Sequence, residues 1–349
     1  MSGTRRAQDV VIIGGGIIGC ALAWELSNRG AQCRVLERRE LAREASWASA
    51  GIISPPGPRH GIRGDLAVRA FRRYPSLIAE VEAIAGMSVG YTASGEVDLA
   101  TAESASALRA VMDWQQQHGM RVEWLDTQAL REREPAVRDE YVAGLYCADA
   151  GSVVLARMTH ALARAAQARG ATIVEHTPVS AVVVERDRAV GVRTYDETIP
   201  AAAVVVAAGA WSRTLADSLD MPIPTVPVRG QMMAIADPPI PIRSVISGAG
   251  GYLVPRADGT VAVGATEEHE AGFDARVTPA GMRWLADLVD AVAPSLLDGR
   301  VVATWAGLRP GTEDGEPIIG RAPHLSNVWL ATGHFRSGAL LAPSTAELL

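Results

Sequence analysis

Runs of apolar residues recur along the chain, and three of them lead directly into glycine. Val10-Val11-Ile12-Ile13 opens into Gly14-Gly15-Gly16-Ile17-Ile18-Gly19, Ala202 to Ala207 closes on Gly209-Ala210-Trp211, and Val328-Trp329-Leu330-Ala331 runs into Gly333-His334-Phe335-Arg336-Ser337-Gly338. A segment apolar at every position predicts a strand buried on both faces, as in a parallel sheet covered by helices. Cys20 to Asn28 continues the first glycine loop as a helix ending near Gly30. Cys33-Arg34-Val35-Leu36 then reads as a second strand, which completes a βαβ unit.

Further on, Ser46-Trp47-Ala48-Ser49-Ala50-Gly51 reads as a loop of small residues, Pro55-Pro56-Gly57-Pro58 as a breaker, and Leu66 to Ile84 as a helix. A strand at Gly95 to Leu99 and a helix from Ser104 to Gln117 follow, and Glu134-Pro135 is expected to begin the return to the first unit. Arg157 to Arg169 is helical in composition, Thr172-Ile173-Val174 is a strand, and Val179 to Glu185 with Ala189 to Thr194 forms a hairpin. Between Pro222 and about Val302 the pattern turns β-rich, with strands at Gly230 to Ile235, Gly251 to Pro255 and Val261 to Ala265. The division expected is one discontinuous domain of residues 7–85, 145–215 and 303–349, and a second of 86–144 and 216–302 inserted in two pieces.

At 349 residues and 48% hydrophobic content the chain can bury the cores of two domains. Its net charge of −6, with no basic stripe interleaved with aromatics, argues against a nucleic-acid partner. The one basic run, Arg59, Arg63, Arg69, Arg72 and Arg73 beside Phe71 and Tyr74, is diluted by Asp65 and Glu80 and reads as a solvated helix face. Cys20, Cys33 and Cys147 have no paired spacing and read as small buried side chains, and the histidines show no metal spacing. No stretch reaches the ~18 apolar residues of a membrane helix. No apolar segment follows Arg5-Arg6 as in a signal peptide, so the cytoplasm is the expected location.

The candidate chemistry begins at the first glycine loop. G-x-G-x-x-G after a strand and before a helix lets backbone approach a pyrophosphate, and Glu37, eighteen residues past Gly19, is placed to accept bonds from a ribose diol. NAD and FAD share that fingerprint. The second glycine-rich strand–helix junction separates them, because a helix starting near Gly338 offers its positive end to a ring that gains negative charge on reduction, which is a flavin's property. Arg309, between Gly307 and Pro310-Gly311, fits equally a buried salt bridge or a bidentate clamp on a substrate carboxylate. Arg336 carries the same two readings, and Tyr252 reads as a core residue or a site residue. His334 reads as a loop residue whose backbone meets the cofactor, not as an acid–base group.

Val11 to Gly19, Glu37, Ser46 to Ile53, His176 to Val179, Ala207 to Ser212, Tyr252 to Arg256 and Gly307 to Pro343 together resemble the glycine oxidases, flavoproteins of the D-amino-acid oxidase and sarcosine oxidase superfamily. The resemblance runs from about Asp9 to the last residue. It implies an α/β fold, a Rossmann-like FAD-binding domain with an inserted antiparallel β-sheet substrate domain. It implies FAD held by Gly14, Gly16, Ile17, Ile18, Gly19, Glu37, Arg38, Ala45, Ser46, Ala50, Gly51, Ile52, Val179, Gly209, Trp211 and the run His334, Phe335, Arg336, Ser337, Gly338, Ala339 and Leu340. The flavin is expected to be non-covalent, since no cysteine lies in the C-terminal half to form the cysteinyl link of monomeric sarcosine oxidases.

Arg309 is then the residue implied to bind the substrate carboxylate, with Tyr252 and Arg336 close by. The implied reaction is hydride transfer from Cα of glycine, sarcosine or a small D-amino acid to flavin N5, with oxygen reoxidising the flavin to give hydrogen peroxide. Relatives commonly form homotetramers and supply the imine of glycine for the thiazole of thiamine. Two other readings remain: a dehydrogenase of the same fold that uses a quinone or another acceptor, and a non-catalytic flavin-binding subunit.

Overall fold

A computed structural model describes residues 8–58 and 62–349. Arg59 and His60 lie outside the described residues. Two eight-stranded sheets organise the chain. In the first, the strands Ile318–Arg321, Val328–Thr332, Thr198–Val206, Gln8–Ile13, Cys33–Leu36 and Thr172–Val174 lie side by side in that order. Their pairings are parallel except at the Ile318–Arg321 edge, and the hairpin Ala181–Glu185/Arg188–Arg193 extends the Thr198–Val206 strand.

The unbroken apolar runs are explained by what each face meets. Ile12 and Val205 point into a core shared with helices Ile17–Asn28, Ile62–Ala85, Leu155–Ala168 and Gly338–Leu348. Val11, Ile13, Val204 and Val206 point to the opposite face, into a core with Leu215, Leu219 and the hairpin. Along Val11 to Ile13 and Val204 to Val206 neither face touches water, so no polar residue interrupts these runs.

The second sheet runs Arg300–Gly311, Val226–Ala236, Val261–Gly264, Gly251–Pro255, Val245–Gly248, Glu96–Thr101, Tyr141–Cys147, Val122–Leu125. It is antiparallel except between Glu96–Thr101 and Val245–Gly248. One face packs on the helix Pro279–Val292, and the other, with Met232, Val245, Val254, Ala262 and Ala265, meets Ala50 of the first half.

Several sequence expectations need correction. Ser46 to Gly51 is not all loop: Ala45–Ala48 forms one helical turn, after which Gly51, at φ 71°, turns the chain into the short strand Ile52–Ile53. Glu134-Pro135 does not return the chain to the first sheet. Glu134 is buried with its carboxylate accepting the N–H groups of Arg243 and Ser244, and the next strand, Tyr141–Cys147, still belongs to the second sheet. Likewise Arg300–Gly311 pairs along its length with Val226–Ala236, so residues 303–311 sit in the second sheet and not the first. The β-rich tract also contains a helix, Pro279–Val292, with Leu285, Leu288, Val289 and Val292 buried at helical spacing and Thr278 capping its N-terminus. The basic run is a solvated face only in part: Arg69 and Arg72 are exposed, but Arg63 and Arg73 are not. Arg63, with its side chain 13% exposed, donates to the Gly315 carbonyl and Ser337 Oγ and pairs with Glu316, while Arg73 pairs with Glu80 and Glu347.

Gly19 shows how tightly the first unit closes. A Cβ there would lie 1.9 Å from the Gly14 carbonyl oxygen, so the helix could not sit on the strand. Gly19→Ala gains ~1 kcal/mol of helix propensity, yet we expect a net loss of about 1–3 kcal/mol from the clash. Thermal melting of the variant checks this, and an unchanged or raised midpoint would show that the contact relaxes freely.

Candidate functional site

A cavity of ≈ 360 Å³ lies between the two sheets. Gly14, Gly16, Ile17, Ile18, Glu37, Arg38, Ala45, Ser46, Ala50, Gly51, Ile52, Val179, Gly209, Trp211, His334, Phe335, Arg336, Gly338 and Ala339 line it, together with Arg309 and Tyr252. Three of the expected residues do not. Gly19 faces Gly14 as described, Ser337 turns its hydroxyl to Arg63, and Leu340 packs into the helical core.

The wall nearest the first strand suits a dinucleotide. The helix Ile17–Asn28 starts at Gly16 with no acidic residue in its first turn, so its positive end is not neutralised from within. Ser46 Oγ accepts the Ile17 N–H at 2.9 Å, which brings the Ala45–Ala48 turn onto that helix start. Gly14, at φ 115°, would clash with the Ala207 carbonyl if it carried a Cβ, so backbone alone forms this corner. Glu37 is buried, with one oxygen accepting the Gly15 N–H at 2.7 Å and the other the Arg39 N–H at 2.9 Å. Each carboxylate oxygen keeps a second lone pair, enough to accept from two hydroxyls of a ribose. Beside it the Arg38 guanidinium lies 3.6 Å over the Trp211 ring.

The C-terminal loop repeats the arrangement. Helix Gly338–Leu348 also begins without an acidic first-turn residue or a side-chain cap. His334, 2% exposed, shares a 3.0 Å hydrogen bond between Nε2 and Thr345 Oγ1, whereas its Nδ1 is buried without a partner. Burial first, and the charge of Arg63 second, lower its pKa to about 3, so the ring is neutral near pH 7. An orphaned nitrogen at the wall of a cavity fits a bound group that completes its bonding.

On the second sheet, the Arg309 guanidinium lies over Gly230 of the neighbouring strand. A Cβ on Gly230 would come within 2.3 Å of Arg309 Nη1. Nη1 donates to the Thr266 carbonyl at 2.9 Å, and no carboxylate among the described residues pairs with this arginine. The salt-bridge reading of Arg309 is thereby removed. Arg336 differs: its side chain is 56% exposed and ion-paired with Glu267, so its charge is already matched. Tyr252 rests its ring against Gly264, and its hydroxyl makes only a 3.9 Å contact with Met232 Sδ. The second sheet packs on the Ala45–Ala48 turn at Gly307, where a Cβ would meet that of Ala48 at 2.3 Å, and where Trp305 Nε1 donates to the Ala48 carbonyl at 3.0 Å.

Gly230, Met232, Ala265 and Gly307 line the cavity and escaped the sequence reading. For Gly230 a signal existed, because a glycine inside a strand marks close approach by another group.

The family of FAD dependent oxidoreductases matches residues 9–349. The glycine oxidase of Pseudomonas putida is 33% identical over 98% of this chain and 93% of its own length. The bifunctional ThiO/ThiG protein of Synechocystis is 34% identical over 99% of this chain, which spans about half (51%) of that relative. The crystal structure of glycine oxidase from Geobacillus kaustophilus superposes with a TM-score of 0.89 at 30% identity, covering 98% of this chain and 93% of that one. With a matching sequence family, a matching fold and a cavity whose walls suit a dinucleotide, this chain belongs to the FAD-dependent oxidoreductases.

Proposed function

We propose that this protein oxidises glycine, sarcosine or small D-amino acids with oxygen. Two electrons and two protons leave the C–N unit of the substrate and reduce oxygen to hydrogen peroxide; the imine then hydrolyses to a 2-oxo acid and ammonia or amine. One observation carries the reading: Arg309 is a guanidinium without a carboxylate partner, fixed over Gly230, at the wall of a cavity that also contains a dinucleotide cradle. The likeness to glycine oxidases over nearly the whole chain supports the same substrate class. On this reading the first sheet carries the cofactor and the second covers the substrate.

Bound FAD supplies a hydride acceptor that oxygen can reoxidise. Gly14, Gly16, Glu37 and the His334–Ala339 loop would hold it, and Cys20, Cys33 and Cys147, buried away from the cavity wall, offer it no thioether link. Arg309 binds the substrate carboxylate through two parallel N–H bonds, leaving Nη1 anchored to Thr266 through its other hydrogen. The Tyr252 hydroxyl, which has only the weak Met232 Sδ contact to give up, would donate to the same carboxylate, so that the Cα substituents are held in one orientation. Met232, Ala265 and Leu308 keep water from this end. Of the cavity wall near Arg309, Gly230, Met232, Ala265, Leu308 and Pro310 carry no acid or base, and His334 stays neutral. The amine therefore loses its proton to solvent before oxidation, and positioning does most of the catalytic work. On family resemblance alone the reading extends to a cytoplasmic homo-oligomer, a tetramer, that supplies the glycine imine for the thiazole of thiamine.

Two measurements test it. Purified protein should release intact FAD on denaturation and should form peroxide stoichiometrically from glycine or sarcosine but not from L-amino acids, whose side chain would occupy the place of the transferred hydrogen. Activity only on L-substrates, or substrate oxidation coupled to a quinone without oxygen uptake, would sink the assignment.

Arg309→Lys should retain FAD but lose turnover. Lysine keeps the charge without the fork, so the carboxylate pivots, and a displacement of ~1 Å costs roughly a hundredfold. Near-normal kcat/KM in this variant would move the carboxylate anchor elsewhere.

A further inference from the structure

Arg309 reaches the cavity from a strand, and a long arginine on a strand has many rotamers. What restricts it is the Thr266 carbonyl, which accepts from Nη1 at 2.9 Å. A backbone carbonyl can aim a guanidinium only if the backbone itself is fixed. Residues 265–268 follow the strand Val261–Gly264. Backbone bonds still tie them to the neighbouring strand, from the Thr266 N–H to the Gln231 carbonyl at 3.3 Å and in both directions between Glu268 and Arg229, and what these leave loose around the Thr266 carbonyl is fixed by side chains.

They converge on Glu268. Its Oε1 accepts from Thr266 Oγ1 at 2.6 Å and from Gln231 Nε2 at 2.7 Å, and its Oε2 accepts from Arg229 Nε at 3.0 Å and from Arg229 Nη2. All four lone-pair sites of the carboxylate are used. Thr266 Oγ1 also accepts the Gln231 N–H at 2.9 Å. Gln231, fully buried, is itself clamped, with Oε1 accepting the Thr278 N–H at 2.7 Å and Nε2 donating to Thr278 Oγ1 at 3.0 Å. Arg229 and Gln231 flank Gly230, the residue over which the Arg309 guanidinium lies. The same three-residue stretch of strand thus supplies the floor beneath Arg309 and, through Glu268, the fixing of the carbonyl beside it.

Burial of Glu268 alone would raise its pKa, but the bonds from Arg229, Thr266 and Gln231 outweigh burial and hold it below the ordinary carboxylate range. The hub is therefore ionised at neutral pH.

We propose that Glu268 is a positioning residue for the reaction: through Thr266 it aims Arg309 at the substrate carboxylate without touching substrate or flavin. The inference rests on the reading of Arg309 as the carboxylate anchor. Its chemistry requires a carboxylate at position 268. Glutamine would present an NH2 group either to the Arg229 guanidinium or to the donors Gln231 Nε2 and Thr266 Oγ1, and in both cases a donor meets a donor.

The test uses the FAD-loaded full chain and acetate, a carboxylate with no oxidisable amine, titrated by the change in flavin absorbance. Glu268→Gln and Thr266→Val should each weaken acetate binding on the order of tenfold, because loosening a fixed anchor costs orientation as much as contact. Thr266→Ser, which keeps the hydroxyl, should recover most of that affinity. The FAD dissociation constant should stay within about twofold of wild type in all three, since the hub touches no part of the dinucleotide cradle. If Glu268→Gln does not fold, the contrast between Thr266→Val and Thr266→Ser decides the matter.

Folded variants that melt earlier yet bind acetate as wild type does would reduce Glu268 to a structural residue and overturn the proposal. Wild-type protein that binds FAD but neither binds acetate nor oxidises glycine would instead bring down the reading of Arg309, and this inference with it.

Discussion

Close approach to glycine backbone, where no side chain can intervene, is the constraint from which the rest of this structure follows. At Gly14 and Gly19 it brings the first helix onto the first strand, and at Gly307 it brings the second sheet onto the Ala45–Ala48 turn. Neither contact tolerates even a methyl group. The cavity exists because these approaches hold two sheets together at one seam while leaving the space beside it open. The Ala45–Ala48 turn takes part in both, through Ser46 to the helix start and through Ala48 to the second sheet. A displacement of that turn would therefore alter the cofactor wall and the substrate wall together.

The two sheets meet the demands of burial differently. The first covers both its faces with apolar groups, and its polar contributions at the cavity come from backbone N–H groups and from side chains beyond its strand ends, Glu37 and Glu44 among them. The second sets a half-buried carboxylate, Glu268, against the buried Gln231 and Thr266 beside its apolar core. Such a cluster is stable only when its members are satisfied, and Glu268 has four donors around it. What it adds to packing is direction.

How much of this was legible in the sequence depended on how local the determinant was. The strands of the first sheet could be read because burial on both faces leaves unbroken apolar runs. The dinucleotide corner could be read because its glycines and Glu37 are fixed by one βαβ unit. The helix Pro279–Val292 was missed inside a β-rich tract, although Thr278, Pro279 and the spacing of Leu285, Leu288 and Val292 carried its signature. Arg309 and Arg336 could not be told apart by composition. What separates them is Glu267, 69 residues before Arg336, and a slot over Gly230 that exists only through strand register. Thr266 acts on Arg309 through its backbone carbonyl, which every residue possesses and no sequence pattern marks.

The neutral His334 has a consequence for the whole chain in acid. Its imidazole is buried at the loop before the last helix, with a pKa near 3 against 6.5 when free. Between those values the unfolded chain takes up a proton that the folded chain refuses, so stability is intact above pH 6.5 and declines as pH falls through the interval. Each pH unit there removes up to about 1.4 kcal/mol. The loop whose backbone closes the C-terminal side of the cavity is thus also a point at which protons oppose folding. A bound group that accepts or donates at the orphaned Nδ1 would add to the stability of the neutral ring and deepen that acid dependence, which ties retention of the cofactor to the protonation state of a residue that takes no part in the chemistry.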